Sequence, residues 1–157
     1  MDRHPACDED IYAWTQEQAR LLREASAVRV NLPLDFAHLA EEIEGMGKSD
    51  RRSVQSALAR VIEHLLKLEF SPAADPCGGW RKSVREQRAA ALDALDDSPS
   101  LRGRIDLVTA WRRGRGFAVD GLNQNRVDER LLPDECPYDL DQPLDDDWWP
   151  ANRHALD

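Results

Sequence analysis

The amino-acid sequence predicts an all-α fold, a compact bundle of about five helices with a mostly irregular C-terminal extension. Three observations carry that expectation. Apolar residues recur at helical rather than alternating spacing up to about Asn123. Proline and glycine clusters interrupt the stripes and mark the connections. Beyond Asn123 the period fades while leucines and aromatic residues persist. A length of 157 residues fits one domain spanning 1–157, with residues 123–157 as an extension packed on the bundle.

The first helix is expected over Asp8 to Ala27, where acidic residues at the start complement the helix dipole and Arg20 and Arg23 lie nearer its end. Its stripe of Ile11, Trp14, Gln18, Leu21 and Leu22 makes Trp14 a packing anchor. Pro33 marks the connection, and Asp35 is suited to cap a second helix in which Phe36, Leu39, Ala40, Ile43 and Met46 share one face. Gly45 and Gly47 are expected to end that helix, because glycine loses more backbone entropy than alanine on becoming helical. Lys48-Ser49-Asp50 then starts a third helix, whose Val54, Leu58, Val61, Ile62, Leu65 and Leu68 form the strongest apolar stripe, continuing toward Phe70. With Gly45-Met46-Gly47 as the turn, the second and third helices would make an antiparallel hairpin.

Pro72, Pro76, Gly78 and Gly79 make residues Ser71 to Gly79 an expected exposed loop. A fourth helix follows, with Trp80, Val84, Ala91 and Leu95 inward and Arg81, Arg85 and Arg88 on an adjoining strip. Asp97-Ser98-Pro99-Ser100 reads as a break, after which Leu101, Ile105, Val108 and Trp111 define the fifth helix. Gly114, Gly116 and Gly121 blur its end. The stretch from Leu131 to Tyr138 reads as a turn or extended segment laid over the bundle, and Tyr138, Leu140, Leu144, Trp148 and Trp149 supply apolar anchors.

Thirty acidic residues against 21 basic ones give a net charge of −9, which repels phosphate backbones and acidic membranes and disfavours nucleic acid as a partner. Cys7, Cys77 and Cys136 are widely spaced, without a CxxC pair, so the expected compartment is the reducing cytoplasm. Met1 to Asp10 has no apolar signal core, and no later segment approaches the roughly 20 apolar residues of a membrane span.

The candidate chemistry centres on the acidic second helix and His64. His38 and Glu42 are four positions apart and can occupy neighbouring turns, whereas Glu41 and Glu44 project along other sides. Glu42 lies at the margin of the apolar stripe, and His64 holds a similar place on the third helix. Across a hairpin the two would face each other, with the imidazole ligating a divalent metal or exchanging protons and the carboxylate as second ligand or orienting group. His38, Glu41 or an arginine of the fourth helix would support such a site. Against it stands a structural reading, in which carboxylate–arginine pairing secures helix junctions.

No complete catalytic or cofactor motif is present: the chain lacks HExxH, repeated Glu-x-x-His, a phosphate-binding P-loop and a dinucleotide glycine fingerprint. Asp139, Asp141, Asp145, Asp146 and Asp147 lack the glycine turn and terminal glutamate of a calcium loop and read as a solvated segment. Cys136 has no histidine partner in sequence that would make it a nucleophile.

The chain resembles the DUF29 family of small bacterial proteins of unassigned function. The resemblance rests on Tyr12-Ala13-Trp14 with Gln18 and Leu21-Leu22, on Leu39 through Gly47, and on Glu63-His64-Leu65-Leu66-Lys67. It continues through Trp80, Arg85, Gln87-Arg88, Asp97 through Leu101, Pro133 and Cys136-Pro137-Tyr138. It implies a compact all-helical fold with a C-terminal extension and assigns no catalytic role to any residue.

The leading expectation is therefore a cytoplasmic protein-interaction module, a non-enzyme that pairs with a protein partner or as a homodimer, with Trp148 and Trp149 in the interface. One alternative is a metal-dependent enzyme or ligand-binding protein centred on Glu42 and His64. A weaker one is a nucleic-acid-associated regulator acting through Arg81, Arg85 and Arg88.

Overall fold

A computed structural model describes residues 4–28 and 30–156. The expectations for Met1–Arg3 and for the final residue, Asp157, lie outside the described residues. Within them the fold is all-α: α1 spans Ile11–Ala27, α2 Phe36–Phe70, α3 Cys77–Asp97, α4 Leu107–Asn123 and a short α5 Asp141–Leu144. Two 3-10 turns, Pro99–Arg104 and Glu129–Leu131, punctuate the chain.

The largest departure from expectation is α2. The second and third expected helices are one helix of 35 residues, so no hairpin forms at Gly45-Met46-Gly47. None of the described glycines has a positive φ, which removes the backbone feature that would have ended the helix there. Gly47 is buried, and a Cβ on it would collide with Thr15 Oγ1 and meet Gln16 Nε2 at 3.0 Å and Tyr12 Cδ2 at 3.2 Å. This glycine lets α1 approach α2 closely. Gly45 has open space around its missing Cβ and simply lowers helix propensity.

Three smaller differences have local causes. α1 starts at Ile11 rather than Asp8, because Asp10 is its N-cap and accepts from Ala13 N at 2.8 Å. α3 begins at Cys77, so Gly78 and Gly79 lie in its first turn and not in the preceding loop. The expected helix from Leu101 divides: Pro99–Arg104 is a 3-10 turn, and Asp106, accepting from Thr109 N at 2.9 Å, restarts the chain as α4.

The chain forms two compact units. One takes the chain up to Ser53 together with Asp93–Ile105, the other Val54–Leu92 together with Asp106–Asp157. In the first, Asp10 also accepts from the backbone N of Ser100 at 2.7 Å and from its hydroxyl at 2.9 Å, and Ser98 Oγ accepts from Tyr12 N at 3.0 Å. These bonds tie the start of α1 to the 3-10 turn. Arg23 and Lys48 both reach Glu44, at 3.0 and 2.9 Å, and hold its carboxyl below the usual range.

In the second unit the latter half of α2 is the packing helix that its stripe predicts: Val54, Leu58, Val61, Ile62, Leu65, Leu66 and Leu68 are buried. Gly114 on α4 is seated against it, since a Cβ there would lie 2.6 Å from Ala59 O and 2.8 Å from Ile62. Gln55 pins the start of α4 by bonding both backbone groups of Asp106, at 2.5 and 3.0 Å. The C-terminal segment is ordered against these helices. Asn152 Nδ2 donates to Leu68 O at 2.6 Å and Ser71 O at 3.1 Å, and Arg153 N donates to Glu69 O at 2.8 Å. They satisfy the Leu68 and Glu69 carbonyls in the last turn of α2, which the helix itself leaves open, and that of Ser71 just beyond it.

Candidate functional site

Glu42 and His64 both lie on α2, separated by 21 residues of uninterrupted helix. Side chains on one helix meet at three- and four-residue spacing, so the helix they share keeps them apart. Glu42 and Glu41 are exposed. His38 is exposed too, and its Nδ1 lies 3.4 Å from Asp35 Oδ2. Among the described residues no three His, Cys, Asp or Glu side chains gather in a way that would hold a metal ion.

His64 has different neighbours from those expected. It is half-buried and its Nδ1 is a buried atom without a hydrogen-bond partner. Burial depresses its pKa below the ordinary 6.5, with Lys67 and Arg60 adding to the fall and Glu63 opposing it. Glu63 is buried between Arg60, 2.7 Å away, and Lys67, 2.6 Å away. Burial pushes its carboxyl up, but these two cations outweigh that and hold it below its usual value. Arg60 also covers the Phe117 ring at 4.2 Å from its centre. Arg60 stands three residues before Glu63 and Lys67 four after it, the two spacings at which side chains on one helix pair, a signal that the sequence carries. The structural role of these two cations is to neutralise Glu63 inside the second unit.

The tryptophans near the C-terminus are packing groups. Trp148 and Trp149 are half-buried and pack on the cluster of Val61, Leu65, Leu68 and Val84, together with Cys77 and Trp80. Trp111, Tyr138 and Trp148 form a chain of edge-to-face contacts, with ring centres 5.7 and 5.3 Å apart. Trp149 is surrounded by the basic strip: the guanidinium carbons of Arg81 and Arg85 lie 5.5 Å from its ring centre, and that of Arg88 4.7 Å. Arg88 is fully buried, donating from Nε to Pro143 O and from Nη2 to Trp148 O, both at 2.8 Å. Sequence spacing finds the strip but not the indole, which is about 60 residues away along the chain and has no local signal.

Beside α4 lies a pocket of about 610 Å³. Leu107, Val108 and Trp111 line it from the helix, and Asp134, Cys136 and Tyr138 from the C-terminal segment. Burial pushes the Cys136 thiol up, which keeps it protonated and a poor nucleophile at neutral pH. All three cysteines are free thiols.

Among the described residues, helices packed on an apolar core, with the buried Glu63 held between Arg60 and Lys67, define the class: a small α-helical bundle protein. The particular family follows from comparison. The family described as "Domain of unknown function DUF29" matches residues 7–149, and the chain belongs to it. The fold is similar to a crystal structure of an α-helical protein of unknown function from Rhodospirillum rubrum, with a TM-score of 0.82 at 32% identity over 93% of each chain. No curated protein matches the chain. No helix among the described residues is long and apolar enough to cross a membrane.

Proposed function

We propose that the chain is a cytoplasmic protein-interaction module that works by binding rather than turnover, with a second copy of itself as its partner. The observation that carries this reading is a run of exposed apolar side chains in the first unit, between Val28 and Met46. Val28, Leu32, Leu34 and Met46 are 74, 55, 53 and 55% exposed, and Val30 and Leu39 are exposed beside them in sequence. Among the described residues, six of the eight large exposed hydrophobic side chains thus fall between positions 28 and 46. Scattered single residues of this kind are ordinary, whereas a concentrated group marks a contact surface.

Charge pattern favours a second copy. On α2 the exposed Glu41 and Glu42 precede Met46, and the exposed Lys48, Arg51 and Arg52 follow it. An antiparallel pairing about a two-fold axis near Met46 sets each acidic end against the partner's basic end, which is the self-complementarity an isologous interface needs. Leu39 and Met46, seven residues apart, supply an apolar seam. This reading places the pairing surface at the α1–α2 connection and the first half of α2 rather than at Trp148 and Trp149, which are half-buried against the core.

Size-exclusion chromatography with light scattering tests this. The chain is expected to run at twice its monomer mass at micromolar concentration, and Met46→Glu or Leu39→Glu to run as a folded monomer. A wild-type monomer at all concentrations, or variants that dimerise equally well, would overturn the reading.

A further inference from the structure

The cluster about Trp149 lies entirely in the second unit and is independent of the pairing surface. Three guanidinium groups at positions i, i+4 and i+7 of α3 surround one indole, close enough that any two lie within roughly 11 Å, about one Debye length at physiological salt. Like charges held this near raise one another's energy unless an anion joins them.

Among the described residues no carboxylate pairs directly with Arg81, Arg85 or Arg88, whereas Arg20, Arg23, Arg60, Arg130 and Arg153 each have one. Asp145 and Asp146 act on Arg88 only at longer range, and burial still depresses its pKa. The decisive atom is Nη1 of Arg88. It belongs to a fully buried side chain whose other two nitrogens are bonded, and it has no partner. A buried guanidinium nitrogen left unpaired is costly, and such an atom calls for an acceptor.

We infer that Arg81, Arg85 and Arg88, arranged around Trp149, form a binding site for one small phosphate-type oxyanion. Arginine forks match the paired oxygens of phosphate, and three cations suit a dianion better than a single carboxylate. Asp145, Asp146 and Asp147 adjoin Trp149 in sequence, and together with the net charge of −9 they repel an extended polyanion. The strip therefore fits a compact anion rather than nucleic acid. Arg85 is exposed and Arg81 half-exposed, so the ion meets these first, and it reaches the buried Arg88 Nη1 only as the side chains that cover this atom move.

Isothermal titration of the full chain with inorganic phosphate, and in parallel with glycerol 3-phosphate, tests this and separates the free ion from a phosphomonoester. Saturable one-site binding is expected, weakened at least about tenfold in Arg81→Gln and in Arg85→Gln. Lys82→Gln, at an exposed residue paired with Glu86, should leave it unchanged. The indole resonance of Trp149, assigned by Trp149→Phe, should move during the titration. Absence of saturable binding of either anion, or equal binding by the arginine variants and wild type, would overturn the site. So would a crystal structure grown in phosphate with only an ordered water on Arg88 Nη1 and no anion on the cluster.

Discussion

Gly45 and Gly47 stand two residues apart in one helix, and replacing each with alanine is expected to change stability in opposite directions. At Gly45 a Cβ meets nothing within 4 Å, so Gly45→Ala only removes the entropic cost of a helical glycine. It should stabilise by about 0.5–1 kcal/mol. At Gly47 the same gain is offset by overpacking. The Cβ runs into Thr15 Oγ1, and that hydroxyl belongs to a fully buried side chain already donating to Tyr12 O at 2.7 Å. Gln16 Nε2 and Tyr12 Cδ2 close the space at 3.0 and 3.2 Å. Overpacking of this kind costs about 1–3 kcal/mol, which leaves Gly47→Ala destabilised by about 0.5–2 kcal/mol after the helix gain. Urea unfolding followed by circular dichroism at constant m-value reads both. Destabilisation by Gly45→Ala would refute the reasoning, because it would mean that Gly45 ends a helix in a conformation alanine cannot adopt.

Other expectations follow from the same structure. His64 has a native pKa depressed below 6.5, so the unfolded chain binds more protons as pH falls through that value. Stability should therefore be greatest above pH 6.5 and decline below it, and His64→Gln should flatten this part of a urea-midpoint profile; an unchanged slope would refute the assignment. Glu63 adds a separate loss at pH below its ordinary 4.5, because its depressed pKa makes the ionised form the stabilising one. Asn152→Ala leaves the Leu68 and Ser71 carbonyls without that donor and should cost about 1–2 kcal/mol, or roughly 2–8 °C in melting temperature. Gly114→Ala, which presses on the backbone oxygen of Ala59, should cost about 1–3 kcal/mol in the same melt, and a neutral result would contradict the α2–α4 contact described above.

Helix type and core were legible where apolar spacing is long and strong. Val54 through Leu68 needed no tertiary information, and the buried set matches the stripe. The error at Gly45-Met46-Gly47 came from treating glycine as a local signal when the buried one answers a neighbour: Thr15 on α1 requires a residue without a side chain at position 47. No reading of the segment by itself separates a terminating glycine from a packing one. The same merging of two helices into one removed the candidate site, since Glu42 and His64 could face each other only across a turn. Leu39 and Met46 share the apolar stripe of this segment, yet both are exposed, because the buried positions in this part of α2 are Ala40 and Gly47. The arginine strip was visible as i, i+4, i+7 spacing on α3, but its indole arrives from a segment without periodicity.

Pairing of two copies through the first half of α2 is the central claim, and a cysteine crosslink tests it most directly. In a chain whose Cys7, Cys77 and Cys136 are replaced by serine, the thiol introduced by Met46→Cys would stand beside its own copy at the two-fold axis, within disulfide reach. Mild oxidation should then give a covalent dimer as the main product. Val108→Cys, at a similarly exposed position in the second unit, should remain monomeric under the same conditions. A failure of the Met46→Cys chain to crosslink, or crosslinking no faster than that of Val108→Cys, would contradict the account.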